Sequence, residues 1–202
     1  DFGTLILTQG ENPSLTIEAD EAILSELRTE VVGDTLTLGL DEDWINRIGK
    51  LISSIFSTSD HKITYWLTVV NLDAISISGK CHLQCESLTT DELELKVLGL
   101  SDMVFKQLEC NQLRLNISGR GDFIAAGRAD RQELRISGSG EIQASDFSTK
   151  STRIMISGQG NANVRVSEEL DITISGLGQV HYYGQPRLHQ VISGLGKSFK
   201  VE

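Results

Sequence analysis

Along most of the chain, apolar and polar residues alternate with a period of two. Leu93-Glu94-Leu95-Lys96-Val97, Leu113-Arg114-Leu115-Asn116-Ile117 and Leu170-Asp171-Ile172-Thr173-Ile174 each place apolar side chains on one face and polar ones on the other. That is the pattern of a half-buried strand. Helical stripes are missing from the same region.

The strands recur with a marker. An apolar residue followed by Ser-Gly-x-Gly stands at Ile117–Gly121, Ile136–Gly140, Ile156–Gly160, Ile174–Gly178 and Ile192–Gly196. Two altered copies precede them, at Ile77–Cys81 and Val97–Ser101. The first glycines are Gly79, Gly99, Gly119, Gly138, Gly158, Gly176 and Gly194, so the steps are 20, 20, 19, 20, 18 and 18 residues. A repeat of this length whose units are strands predicts an all-β fold, a single-stranded parallel β-solenoid of about 18–20 residues per coil. Each coil pairs with the next at about 4.8 Å, so seven copies span about 30 Å. The Ser-Gly corner is expected to use glycine for positive φ.

Aligning the copies sets the inward ladders. One holds Cys85, Phe105, Ala125, Ala144 and Val164. A second holds Leu95, Leu115, Leu134, Ile154 and Ile172. A third runs Val97, Ile117, Ile136, Ile156, Ile174 and Ile192. Stacked like residues give a continuous core.

Residues 1–72 lack the marker but keep strand patterning, as in Leu5-Ile6-Leu7-Thr8 and Ile63–Val69. They read as N-terminal coils and a cap, with 73–202 as the regular repeats of one continuous domain, 1–202. An insertion at 41–62 departs from the pattern. Within it Trp44, Ile48, Leu51, Ile52 and Ile55 fall at helical spacing after Asp41-Glu42-Asp43, which predicts a short helix near 43–56. This stripe is read as a cover for the open end of the solenoid, or as an interaction patch for a partner or a nearby membrane.

Composition narrows the role. The chain is 39% hydrophobic, with 19 glycines, 2 prolines and a formal net charge of −10. No basic face exists to neutralise phosphates, which excludes a nucleic-acid binder. No apolar run is long enough to span a membrane. Cys81, Cys85 and Cys110 make no disulfide framework. Cys81 and Cys85 lie about 13 Å apart on a strand, too far to bond or to share a metal.

No catalytic, cofactor or metal site is expected. Each marker serine precedes a corner glycine and recurs, so it is structural. His61, His82, His181 and His189 are scattered and define no triad. Arg120-Gly121-Asp122 spells a cell-attachment tripeptide, but the repeat accounts for its glycine and its variable arginine. The outward carboxylates, among them Asp91, Glu94, Asp122, Glu141 and Asp171, converge on no one face. Tyr182 and Tyr183 offer an aromatic contact, together with His181 and Trp66.

Taken together, the Leu7-Thr8-Gln9-Gly10 start, the Val69–Gly79 segment and the Ser-Gly-x-Gly copies resemble the bacterial family described as putative auto-transporter adhesin, head GIN domain. The resemblance covers nearly the whole chain. It implies a right- or left-handed parallel β-solenoid, either secreted or lipid-anchored through a removed N-terminal segment, in the periplasm or at the cell surface, and it brings no catalytic residues. The expected role is a non-catalytic, adhesin-like structural or binding module. Its partner would be an envelope protein or a glycan, and self-association through a solenoid end or the helical insertion is open to it. The alternatives are a polysaccharide-binding or polysaccharide-active β-helix and a polymerising cytosolic solenoid of bactofilin-like architecture.

Overall fold

The computed structural model describes residues 2–40 and 62–202. It is a β-solenoid. Long bent strands wrap the coils: β9 (Leu100–Ile117), β10 (Arg120–Ile136), β11 (Ser139–Ile156) and β12 (Gln159–Ile174). The coil before them is divided among β6 (Ala74–Ile77), β7 (Lys80–Cys85) and β8 (Leu88–Val97). The coils after them are divided among β13 (Leu177–Tyr183), β14 (Arg187–Ile192) and β15 (Leu195–Val201). All of these pair in parallel with their neighbours.

The inward ladders stand as the sequence predicts. Leu95, Leu115, Leu134, Ile154 and Ile172 are in register and buried. Val97, Ile117, Ile136, Ile156 and Ile174 are too, and the buried rings of Phe105 and Phe123 lie 6.0 Å apart. Ile192 keeps the register but is 37% exposed. No later coil covers it among the described residues.

The corner glycines have a different cause from the expected one. None from Gly99 to Gly194 has a positive φ; that conformation occurs at Gly33, Gly127 and Gly184. A Cβ on Gly158 would instead lie 2.0 Å from the Gly138 carbonyl oxygen and 2.4 Å from that of Ser137. The same overlap repeats from Gly99 to Gly194. Each coil hangs by this corner from the one before. Ser157 and Gly158 both donate their N–H to the Ile136 carbonyl, and Gln159 donates to Gly138. Glycine is needed because two backbones meet there, not because the chain turns left-handed.

The N-terminal third does not stack in chain order. β1 (Phe2–Gln9) lies between β5 (Thr64–Val69) and β7, parallel to both. These two strands join the solenoid. β2 (Ser14–Glu18) runs antiparallel on the outer edge of β5, and β3 (Leu27–Val32) with β4 (Thr35–Leu40) forms a separate hairpin turning at Gly33-Asp34. An antiparallel strand at the end of a parallel stack blunts an edge that would template further pairing. A second small core of Ile23, Ile63 and Tyr65 sits beneath, joined by Leu15, Leu27 and Leu38. The one helical turn among the described residues is α1 (Glu21–Leu24). The helix predicted near 43–56 lies outside the described residues.

Candidate binding groove

The coils have a long first face, a short second face and a third face. The short one carries the groove. On it the outward positions run Thr89, Glu109, Arg128, Ser148 and Arg165 in strict register. Next to them run Thr90, Cys110, Ala129, Thr149 and Val166, whose last three side chains are buried. Beyond these, Asn111, Asp130, Lys150 and Ser167 form an opposite wall, and Gly184-Gln185 closes one end. The space between is a groove of about 680 Å³.

Two local features shape it. β12 lacks the three residues that β11 uses at Ser145–Phe147: its register jumps from Ala144↔Val164 directly to Ser148↔Arg165. Gly127 and Gly184, with φ of 125° and 104°, make the turns into this face. A Cβ on either would come within 2.1 Å of a backbone oxygen of the preceding coil, Leu108 or Val166.

Charge inside the groove runs against that of the molecule. Arg128, Lys150 and Arg165 line it against one carboxylate, Asp130, in a chain of net charge −10. Arg128 pairs with Glu109 at 2.9 Å and Lys150 with Asp130 at 2.7 Å. The hydrogen bond from Lys150 to Asp130 holds its ammonium pKa above the ordinary lysine value. Arg165 is held differently. Its Nε donates to the Ser145 carbonyl at 2.7 Å, and its guanidinium carbon sits 5.0 Å from the centre of the Tyr183 ring. Among the described residues no carboxylate reaches ion-pair distance of it. Its backbone is fixed from below, where Thr149 Oγ1 donates to the Arg165 carbonyl at 3.0 Å. Cys110, half-buried in the groove, has its thiol pKa pushed up to about 11 by burial, so it is no nucleophile at neutral pH.

The sequence-predicted residues sort as follows. Trp44, Ile48, Leu51, Ile52 and Ile55 lie outside the described residues. Tyr183 lies beneath Arg165, one residue before the groove's Gly184. Tyr182 turns the other way and packs against the main core. His181 stacks on Phe199 with ring centres 5.2 Å apart. Trp66, on β5, is seven strand steps from β13, about 34 Å away. Cys85 is buried and Cys81 occupies a corner-glycine register, both as free thiols. Arg120 and Asp122 lie in an extended strand, and Asp122 accepts the Glu141 N–H at 3.1 Å. Among the described residues, no three His, Cys, Asp or Glu side chains cluster to hold a metal.

This arrangement of fold and motif has relatives. The family model described as "Putative auto-transporter adhesin, head GIN domain" matches residues 3–186. The chain belongs to this family. Similar solved structures include a "putative adhesin" from Bacteroides fragilis, at 24% identity and a TM-score of 0.86, covering 100% of this chain and 89% of that one. A "putative lipid binding protein" from Parabacteroides distasonis, at 22% identity and a TM-score of 0.72, covers 100% of this chain and 90% of its own. A "putative adhesin" from Parabacteroides merdae, at 20% identity and a TM-score of 0.68, covers 100% and 89%. At these identities the likeness shows the fold. No curated protein matches the chain.

Sequence reasoning missed the groove because the repeat marker lies on another corner. A signal was present. The step between marker glycines falls from 20 to 18 after Gly158, and Gly127 and Gly184 stand outside the marker.

Proposed function

We propose that this chain is a non-catalytic binding module of the bacterial cell surface or periplasm, and that the second-face groove is where its ligand lies. The observation that carries this is the groove itself. It crosses five coils and is walled by guanidinium, ammonium, carboxylate, thiol, amide and hydroxyl groups, with no nucleophile–base pair among them. Family membership supports the extracytoplasmic, adhesin-like setting. The neighbours named as adhesins support it too, and the one named as lipid binding supports a binding role in general. No helix among the described residues is long and apolar enough to cross a membrane.

The rigidity of the solenoid suits this role. Asn111, Arg128, Lys150, Arg165 and Ser167 each already hold a partner on a neighbouring coil, which reduces the ordering entropy lost on binding. The test is retention of the fluorescently labelled chain on intact cells and on isolated envelope polysaccharide. Saturable retention that survives protease treatment of the cells supports a glycan partner, and loss on protease treatment points to an envelope protein. Absence of saturable retention on either surface overturns the binding reading.

A further inference from the structure

We infer that the groove binds an acidic glycan, with the carboxylates of successive sugars meeting Arg165, Lys150 and Arg128. This rests on the binding-module reading above and names the ligand class of that site.

Three observations select the class. The first is charge: three cations stand on this face against two carboxylates, Asp130 in the groove wall and Glu109 beside Arg128, an excess of positive charge on a protein whose net charge is −10. Two of the cations are already engaged, by Glu109 and Asp130. Arg165 keeps its guanidinium edge free of carboxylate among the described residues, while Ser145 and Tyr183 hold its orientation. A planar donor fixed in this way is built for a carboxylate.

The second observation is the remaining chemistry. Asn111, Ser148, Ser167 and Gln185 supply donors and acceptors for sugar hydroxyls, and Tyr183 adds a ring beside the cation. A peptide would seek a free strand edge. On this face Arg128, Ala129, Ser148 and Thr149 are already paired with the coils on either side, so at these positions only side chains are on offer.

The third is geometry. Arg128, Ser148 and Arg165 are successive rungs, so the two arginines stand about 9.6 Å apart along the axis. Repeated groups on a straight axis fit a polymer with a repeating charge. A flat anionic bilayer would meet the acidic exterior as well as the recessed groove and be repelled.

The test is titration of the full chain with oligogalacturonate, its methyl-esterified and therefore neutral counterpart, free galacturonate, and phosphatidylglycerol vesicles. The charged oligomer should bind, with an affinity that falls as salt rises. The neutral oligomer and free galacturonate should bind far more weakly. Arg165→Gln should weaken the charged oligomer by about tenfold or more, Lys150→Gln should weaken it less, and Arg165→Lys should fall between wild type and Arg165→Gln. Unchanged melting temperatures show that the variants fold. Equal binding of charged and neutral oligomers overturns the inference, as does binding to vesicles alone. If cells retain the chain but Arg165→Gln and Lys150→Gln do not alter that retention, the groove assignment falls and the binding module stands. If neither oligomer nor cell surface is bound, both fall.

Discussion

The side-chain amide of Gln9 pairs with the backbone of Thr89 as a strand would. Its Oε1 accepts the Thr89 N–H at 2.9 Å, and its Nε2 donates to the Thr89 carbonyl at 2.9 Å. The same Nε2 donates to the Val70 carbonyl at 3.0 Å. Thr89 has Glu109 as its strand partner on one side. On the other side β1 has ended, and Gln9 supplies the missing rung. One glutamine thus ties the exit of β5 to the entrance of β8, across the place where β1 is inserted out of chain order.

Gln9→Ala should therefore lower stability by about 1–2 kcal/mol, because three hydrogen bonds at a partly exposed site are exchanged for water. Gln9→Glu should be no better, since a carboxylate cannot donate to the Val70 and Thr89 carbonyls. Urea unfolding checks this: the midpoint falls while the slope stays constant. A midpoint within error of wild type for both variants would show that the rung is ornamental.

The corner glycines give a sharper contrast. Gly158→Ala drives a methyl into two backbone oxygens and breaks the Gln159 to Gly138 hydrogen bond. The coils must separate, at a cost of about 3 kcal/mol or more. Gly33→Ala meets nothing within 4 Å and suffers only its φ of 58°, costing about 1 kcal/mol. Thermal melts of the two variants rank the mechanisms. Equal losses would mean that corner crowding is not what demands glycine.

How much of this was readable from residues alone follows from what leaves a local trace. The ladders from Leu95 to Ile172 were legible because parallel stacking repeats the same burial every coil. The glycine positions were legible but their cause was not: a contact between Gly158 and Gly138 is twenty residues long-range, whereas φ preference is what a single sequence shows. The insertion of β1 between β5 and β7 leaves no periodic mark at all. Tyr183 stood out as an aromatic, but its partner Arg165 comes from the preceding coil and is visible only once the shortened register is known.

Gln132 and Thr152 are successive polar rungs on a ladder otherwise made of Leu93, Leu113 and Leu170. Gln132 is 3% exposed and stands in register between Leu113 and Thr152. Its Oε1 accepts from Thr152 at 3.3 Å, but its Nε2 has no partner among the described residues. Gln132→Leu should raise stability by about 1 kcal/mol, because an unpaired buried donor is replaced by a side chain like its Leu113 neighbour. The Thr152 hydroxyl, released from Gln132, then donates to Thr149 Oγ1, 2.7 Å away. A lower urea midpoint for Gln132→Leu would mean that the amide is satisfied after all.

The buried thiols set an alkaline limit. Burial pushes Cys85 and Cys110 from 9.0 up to about 11. A group whose folded pKa is raised contributes stability below its unfolded pKa and loses it as pH climbs through the folded value. Stability should hold to about pH 9 and decline towards pH 11. Cys85→Ala, matching Ala125 and Ala144 on the same ladder, should be less stable at pH 7 but flatter in this range. Parallel pH profiles for the two proteins would remove the thiol from the account.

The third face carries its own register code. Glu94, Arg114, Glu133, Arg153 and Asp171 stack in line, so charge alternates from coil to coil. Arg153 reaches Asp171 at 3.3 Å, while Glu133 is drawn sideways to Arg135 at 2.6 Å. Exposed pairs contribute little singly, but a like charge directly opposite is unfavourable. Arg153→Ala should cost about 0.5 kcal/mol, and Arg153→Glu about 1 kcal/mol or more, since it faces Glu133 on one side and Asp171 on the other. The difference between them should shrink in 1 M salt, where the screening length falls to about 3 Å. A difference that persists in salt would assign the effect to packing of the arginine stem and not to the alternation of charge.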